Sequence, residues 1–124
     1  MSYRKVNYEE VEQVSSAMHF LSDPLETERV GVTVARCDPG WKSKPHDHTD
    51  NDHEEVYVLI EGEATVVVDD EPVAMKTGDA LWIPPTSTRQ IQNGDDESAF
   101  VLVSAPSIQD DDDDGEWPLS GFAG

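Results

Sequence analysis

The sequence predicts an all-β domain, an antiparallel sandwich or barrel. About eight short runs alternate apolar and polar residues with the period of two that half-buries a strand. Turn signals built from Gly, Pro, Asp and Asn separate these runs about every eight to twelve residues. Almost no stretch carries the 3.6-residue period of an amphipathic helix.

Taken in order, residues 1–17 contain YEEVEQV, which has two readings. One is a short helix begun by Asn7 as N-cap with Glu10 three residues on; the other is an edge strand followed by a loop. Residues 18–24, MHFLSDP, bring three large apolar side chains towards the barrel and end in a Ser-Asp-Pro turn. His19 among them reads as a packed structural residue. Residues 29–38, RVGVTVARCD, alternate as a strand with Val30, Val32 and Val34 on one face, closed by the turn Pro39-Gly40. Residues 44–48 and 54–61 are the next two strands, with an acidic loop between them. Glu61-Gly62 is a connection of hairpin length into EATVVVDD. Asp69-Asp70-Glu71 makes a second turn, and PVAMK a further strand. After the turn at residues 76–79, ALWIP is stopped by Pro84-Pro85. TRQIQN, the turn Gly94-Asp95-Asp96 and SAFVLVSAP complete the set. Tyr57, Leu59, Trp82, Ile91 and Phe100 are the side chains expected to line or floor the barrel. From Ser107 the composition shifts to IQDDDDDGEWPLSGFAG, read as an acidic tail whose Trp117, Leu119 and Phe122 are candidates to dock on a partner subunit. The expected organisation is one barrel over residues 1–106 and a tail over 107–124.

Composition narrows the function. A chain of 124 residues is one domain with one core. With 27 acidic against 8 basic residues the formal charge is −19, which repels nucleic acid and anionic membrane. The acids are spread through nearly every segment, a pattern expected of a salt-loving source, where salt screens the self-repulsion. No run approaches the roughly 18 apolar residues of a membrane span, and the first residues lack a signal-peptide core, so a cytoplasmic location is expected. The single Cys37 has no partner for an internal disulfide or a Cys-pair zinc site.

The chemistry gathers in residues 40–62, GWKSKPHDHTDNDHEEVYVLIEG. His46 and His48 are two apart, so in an extended chain both imidazoles leave the same face. Glu55, Tyr57 and Leu59 share one face of the following strand, and Val56, Val58 and Ile60 the other. If strands 44–48 and 54–61 lie side by side, the Glu55 carboxylate joins the two rings. Two histidines and one carboxylate form a set that leaves positions open on Fe(II) and similar ions for oxygen, water or substrate.

These residues also carry a family resemblance. Gly40, five residues, His46-x-His48, then Glu55, six residues and Gly62 resembles the first motif of the cupin superfamily, small β-barrels that often hold a metal on these side chains. Six residues, TDNDHE, separate His48 from Glu55 where the family usually has three or four, so a longer loop folds out. Its His53 is a candidate fourth ligand. Gly78, five residues, Pro84 and then Asn93 resembles the second motif, with two departures: Thr86 stands at the usual second glycine, and Arg89 stands where the family places a metal-binding histidine. The resemblance implies a jelly-roll, or double-stranded β-helix, barrel. It implies a divalent ion (Fe, Mn, Ni or Zn) on His46, His48 and Glu55, and a homodimer.

Arginine cannot ligate a cation, because its guanidinium offers only donors. A unit charge about 6 Å from a divalent ion is repelled by roughly 5 kcal/mol at an effective dielectric of about 20. Three outcomes stay open. The ion sits on His46, His48 and Glu55 while Arg89 clamps a substrate carboxylate or phosphate; or His53 completes the set while Arg89 points away; or Arg89 pairs with Glu55 in a metal-free pocket. Taken alone, Arg89 could also lie solvated at the barrel mouth. Tyr57 and Trp82 join Arg89 as substrate-binding candidates. Lys42 and Lys44 would add positive potential for an acidic ligand. No residue is a clear general base; Glu54 is near, but on the opposite face from Glu55. Two functions compete: a metal-binding cupin acting on a small anionic molecule by dioxygenase-, isomerase- or decarboxylase-like chemistry, or a metal-free barrel that binds a small molecule without turnover.

Overall fold

The computed structural model of the chain describes residues 3–106; the acidic segment 107–124, with Trp117, Leu119 and Phe122, lies outside the described residues. Within them run nine strands: β1 Gln13–Val14, β2 Met18–Phe20, β3 Gly31–Cys37, β4 His53–Glu61, β5 Glu63–Val68, β6 Glu71–Lys76, β7 Ala80–Ile83, β8 Arg89–Asn93 and β9 Ser98–Pro106. They form a six-stranded sheet in the order β1-β2-β3-β9-β4-β7 and a three-stranded sheet in the order β6-β5-β8. Neighbours are antiparallel throughout. The one α-helical turn, α1 Ser22–Leu25, is the Ser-Asp-Pro stretch read as a turn.

The two sheets close over a shared core. Phe100, Leu59, Ile83, Ile91 and Val66 are essentially without exposed surface, and Tyr57 packs edge-on against Phe100 with ring centroids 6.1 Å apart. Strand parity produces this: in β4 the residues Tyr57 and Leu59 face in, while Ile60 is 47 % exposed. In β3 the inward residues are Ala35 and Cys37, so the face carrying Val30, Val32 and Val34 is the outer one.

Four expectations need correction. Trp82 does not line the barrel: it pairs with Val56 on the outer face, is 59 % exposed, and donates from Nε1 to Glu54 Oε1 at 2.8 Å. Ile83, opposite Glu55, takes the inward place instead. Phe20 is half exposed rather than packed inward with Met18. Glu61-Gly62 is not a hairpin turn, because β4 and β5 belong to different sheets; Gly62, at φ +83°, carries the chain across. Residues 44–48 do not lie beside β4. They run extended against β8 through the isolated bridges Lys42↔Gln92 and His46↔Arg89, whose registers differ by one residue, so the pairing is not a continuous ladder.

Other local readings hold. Asp69 and Asp70, at φ 50° and 70°, supply the left-handed pair that a two-residue hairpin requires, with Val68 opposite Glu71. Both readings of the N-terminal stretch contribute: Asn7 Oδ1 accepts from the Glu9 N–H at 2.9 Å to cap a single 3-10 turn, Tyr8–Glu10, and β1 follows as an edge strand. His19 is buried, with Nδ1 2.9 Å from the Val11 carbonyl oxygen, and is structural. Among the described residues no helix is long and apolar enough to cross a membrane.

Candidate metal centre

His46 is fixed by backbone bonds in both directions with Arg89: the His46 N–H donates to the Arg89 carbonyl at 3.0 Å, and the Arg89 N–H to the His46 carbonyl at 2.8 Å. The first motif's histidine and the second motif's arginine are therefore cross-strand partners, with both side chains on one face. Two residues on, the His48 N–H donates to the Pro85 carbonyl at 2.9 Å. The His48 carbonyl accepts from Asn51 and from Asp52, at 3.2 and 2.7 Å, and so starts the turn that takes up the extra loop residues. Asp52 adopts φ 60° to close it. The two imidazoles stand edge to face, centroids 5.0 Å apart.

Glu55 comes from the opposite sheet, held in β4 between Ile83 of β7 and Ser104 of β9. One ligand atom from each of His46, His48 and Glu55 lies within 4.8 Å of the others. The predicted trio thus meets, but across the barrel rather than along neighbouring strands. His48 Nε2 is buried without a hydrogen-bond partner, although Glu55 Oε1 lies 3.4 Å away. A buried polar atom with nothing to bond is costly, and a cation bridging it to the carboxylate would satisfy it. The residues present therefore fit a metal. Burial pushes the His48 pKa below its ordinary value; Glu55 opposes the shift, and Arg89 and His46 add to it. The ring is held neutral, the form that has a lone pair to give.

Arg89 is wholly buried, so the solvated reading is overturned. Nη1 donates to Glu55 Oε1 at 2.6 Å, Nη2 to the carbonyls of Pro84 at 2.7 Å and Ser87 at 3.0 Å, and Nε to Ser87 at 3.3 Å. The guanidinium is thus bound by one strand carboxylate and by two carbonyls of the 84–88 loop. The contact with Glu55 is the one foreseen for the third outcome, yet Glu55 remains in the donor set with both histidines. The loop is anchored in turn by Asp69, whose Oδ1 accepts from the Thr88 N–H at 2.9 Å while its own N–H donates to the Thr88 carbonyl at 2.9 Å. The Ser87 hydroxyl and the Thr88 N–H draw the Asp69 pKa below the usual carboxylate value.

The remaining candidates fall as follows. His53 shares the inward parity of Glu55 and stacks on His48 with centroids 6.1 Å apart, but it is not part of the three-residue donor cluster. Tyr57 is buried and lines the cavity beside Glu55, and burial raises its phenol pKa so that the hydroxyl stays protonated. Glu54 points outward to Trp82. Asn93, which matches the second motif, is a structural pin: Nδ2 donates to the carbonyls of Cys37, Asp38 and Asp96, and Oδ1 accepts from the Ser98 hydroxyl at 2.8 Å. Asp69 and the carbonyls of Pro84 and Ser87 were not foreseen; backbone oxygens have no sequence signal.

The donors face a cavity of about 530 Å³ that Tyr57, Ile91 and Leu102 also line, with Phe20 and Asp23 contributed from before β3. Among the described residues its lining contains no lysine and no arginine. Lys42 and Lys44 are exposed and stand outside it, so the positive potential expected from them is not part of the lining.

Comparison with known proteins agrees with this geometry. The cupin domain family matches residues 33–105. An uncharacterized protein of Methanocaldococcus jannaschii, MJ1618, is 31 % identical over 74 residues, which cover 59 % of this chain and 58 % of that protein. A crystal structure of a cupin protein from Bacteroides fragilis superposes with a TM-score of 0.73 at 24 % identity, covering 94 % of this chain and 97 % of that one. A predicted oxalate decarboxylase from Thermotoga maritima gives 0.70 at 20 % identity, covering 84 % and 100 %. A sugar phosphate isomerase from a cupin superfamily, from Silicibacter pomeroyi, gives 0.67 at 21 % identity, covering 84 % and 76 %. The likeness to these structures is one of fold. With the family match spanning more than half of its residues, and the two β-sheets closed around His46, His48 and Glu55, the chain belongs to the cupin family.

Proposed function

We propose that this cupin is metal-dependent, with His46, His48 and Glu55 holding one divalent ion, Fe, Mn, Ni or Zn, in front of a small-molecule cavity. The observation that carries the reading is the convergence of three donor atoms within 4.8 Å around a buried, unpartnered His48 Nε2. When bound, such an ion polarises a coordinated oxygen or activates water or dioxygen. The chain's own residues do the rest. His48, kept neutral by burial, offers its lone pair. Arg89 holds the Glu55 carboxylate in place through the 2.6 Å contact, and Ile91 of β8 and Leu102 of β9 give the cavity apolar lining from both sheets.

The ligand we propose is a small anionic molecule, handled by dioxygenase-, isomerase- or decarboxylase-like chemistry. Two structural neighbours, a sugar phosphate isomerase and a predicted oxalate decarboxylase, support the latter two classes. Arg89 is unsuited to clamp that molecule directly, since it has no exposed surface, lies outside the cavity lining, and already donates from Nε, Nη1 and Nη2 to Glu55 and two carbonyls. Glu54 is no base for the cavity, because it bonds Trp82 on the outer face. A second reading, a metal-free binding barrel without turnover, is favoured by the same Arg89–Glu55 contact, in which the guanidinium already satisfies the carboxylate.

Elemental analysis separates the two. Tag-free protein incubated with Fe(II), Mn(II), Ni(II) or Zn(II) and then desalted should retain about one equivalent of ion, and the His46→Ala/His48→Ala variant should retain none. Retention of no ion by the wild type would establish the second reading.

A further inference from the structure

The charge balance of the site carries one step further, and it rests on the metal reading above. A divalent ion among His46, His48 and Glu55 would meet two imidazole lone pairs and a single carboxylate. That carboxylate is already shared with a guanidinium that has no exposed surface and is tied to the Pro84 and Ser87 carbonyls. Ion and arginine together therefore bring three positive charges against the one negative charge of Glu55. A histidine in place of Arg89 would leave one positive charge fewer. Asp23 is the other acid in the lining among the described residues, and excess charge in a partly enclosed cavity is expensive in proportion to how little water reaches it.

We propose that the metal and a small carboxylate bind this site as a coupled pair, because Arg89 makes the metal-loaded site too positive to be stable without an added anion. The carboxylate enters from the cavity and coordinates the ion, offsetting the surplus charge. It does not touch Arg89, whose donors face Glu55 and the two carbonyls. Without the ion the carboxylate binds poorly, since among the described residues the lining carries the acids Glu55 and Asp23 and no lysine or arginine. By linkage each partner raises the other's affinity by the same factor. Arg89 is on this view a positioning residue that sets the charge state for which the site selects, and carboxylates are the substrate class it favours over neutral isosteres.

The test is calorimetric titration of Mn(II) into the metal-free protein at constant ionic strength, with perchlorate as the weakly coordinating background anion. It is run with acetate, with acetamide as the neutral isostere, and with neither. Metal affinity is expected to rise by about ten-fold or more with acetate and to stay unchanged with acetamide. In Arg89→Gln the metal alone should bind more tightly than in the wild type, and the acetate effect should shrink. Equal Mn(II) affinity with and without acetate in the wild type would overturn the coupling while leaving the metal site standing. Undiminished coupling in a folded Arg89→Gln would overturn the role given to Arg89. If that variant does not fold, the wild-type comparison decides alone. Absence of Mn(II) binding under all three conditions would overturn the metal reading, and this inference with it.

Discussion

Arg89 shows at the residue scale how a single departure from a motif can keep a site assembled by different means. Its guanidinium stands where the resembled motif has a histidine, and it holds Glu55 through a 2.6 Å contact. The donors themselves were legible: His46-x-His48 and the parity of EVYVLI predict which side chains share a face. The surroundings of Arg89 were not, because its other partners are backbone carbonyls. Trp82 escaped for a related reason. In ALWI three successive large apolar residues fit either face, so alternation cannot choose between Trp82 and Ile83. Cys37 offers a residue-level prediction outside the site. It is 2 % exposed, and burial pushes its thiol up to about 11, so at neutral pH it is a protonated core residue. A thiol reagent such as DTNB should label the native protein far more slowly than the urea-unfolded chain; prompt stoichiometric labelling of the native fold would contradict this placement.

At the scale of elements, the positions of the strands followed from pattern, but their partners did not. A two-residue link of turn-forming residues reads equally as a hairpin or as a passage between sheets; Asp69-Asp70 is the first and Glu61-Gly62 the second. What distinguishes Gly62 is tertiary. Its φ is +83°, and an added Cβ would come 2.5 Å from the Glu97 carbonyl oxygen. Gly62→Ala should therefore lose about 1–3 kcal/mol of stability in urea denaturation, through backbone strain and the steric conflict together. An unchanged midpoint would show that the passage between sheets is not as tight as the geometry requires. The segment carrying His46 was likewise expected beside β4, since nothing in its residues announces that it bridges to β8 instead.

For the whole molecule, fold and family were legible because strand period, turn chemistry and motif spacing agreed, whereas the ligand was not, since a barrel cavity takes its lining from many strands. The net charge of −19 acts at this scale. Self-repulsion should make the melting temperature rise by several degrees between low and molar salt, where screening shortens to about 3 Å; a flat or falling dependence would show that the scattered acids do not limit stability. The three candidate donors come from both sheets, so on the proposed reading the occupancy of the site is the property on which function depends. Crystals grown with Mn(II) and measured for anomalous scattering test this most directly. A peak at about 2.0–2.3 Å from one atom each of His46, His48 and Glu55 is predicted, with Arg89 still held by Pro84 and Ser87. A map with no peak there, and with the Arg89–Glu55 contact intact, would contradict the metal centre.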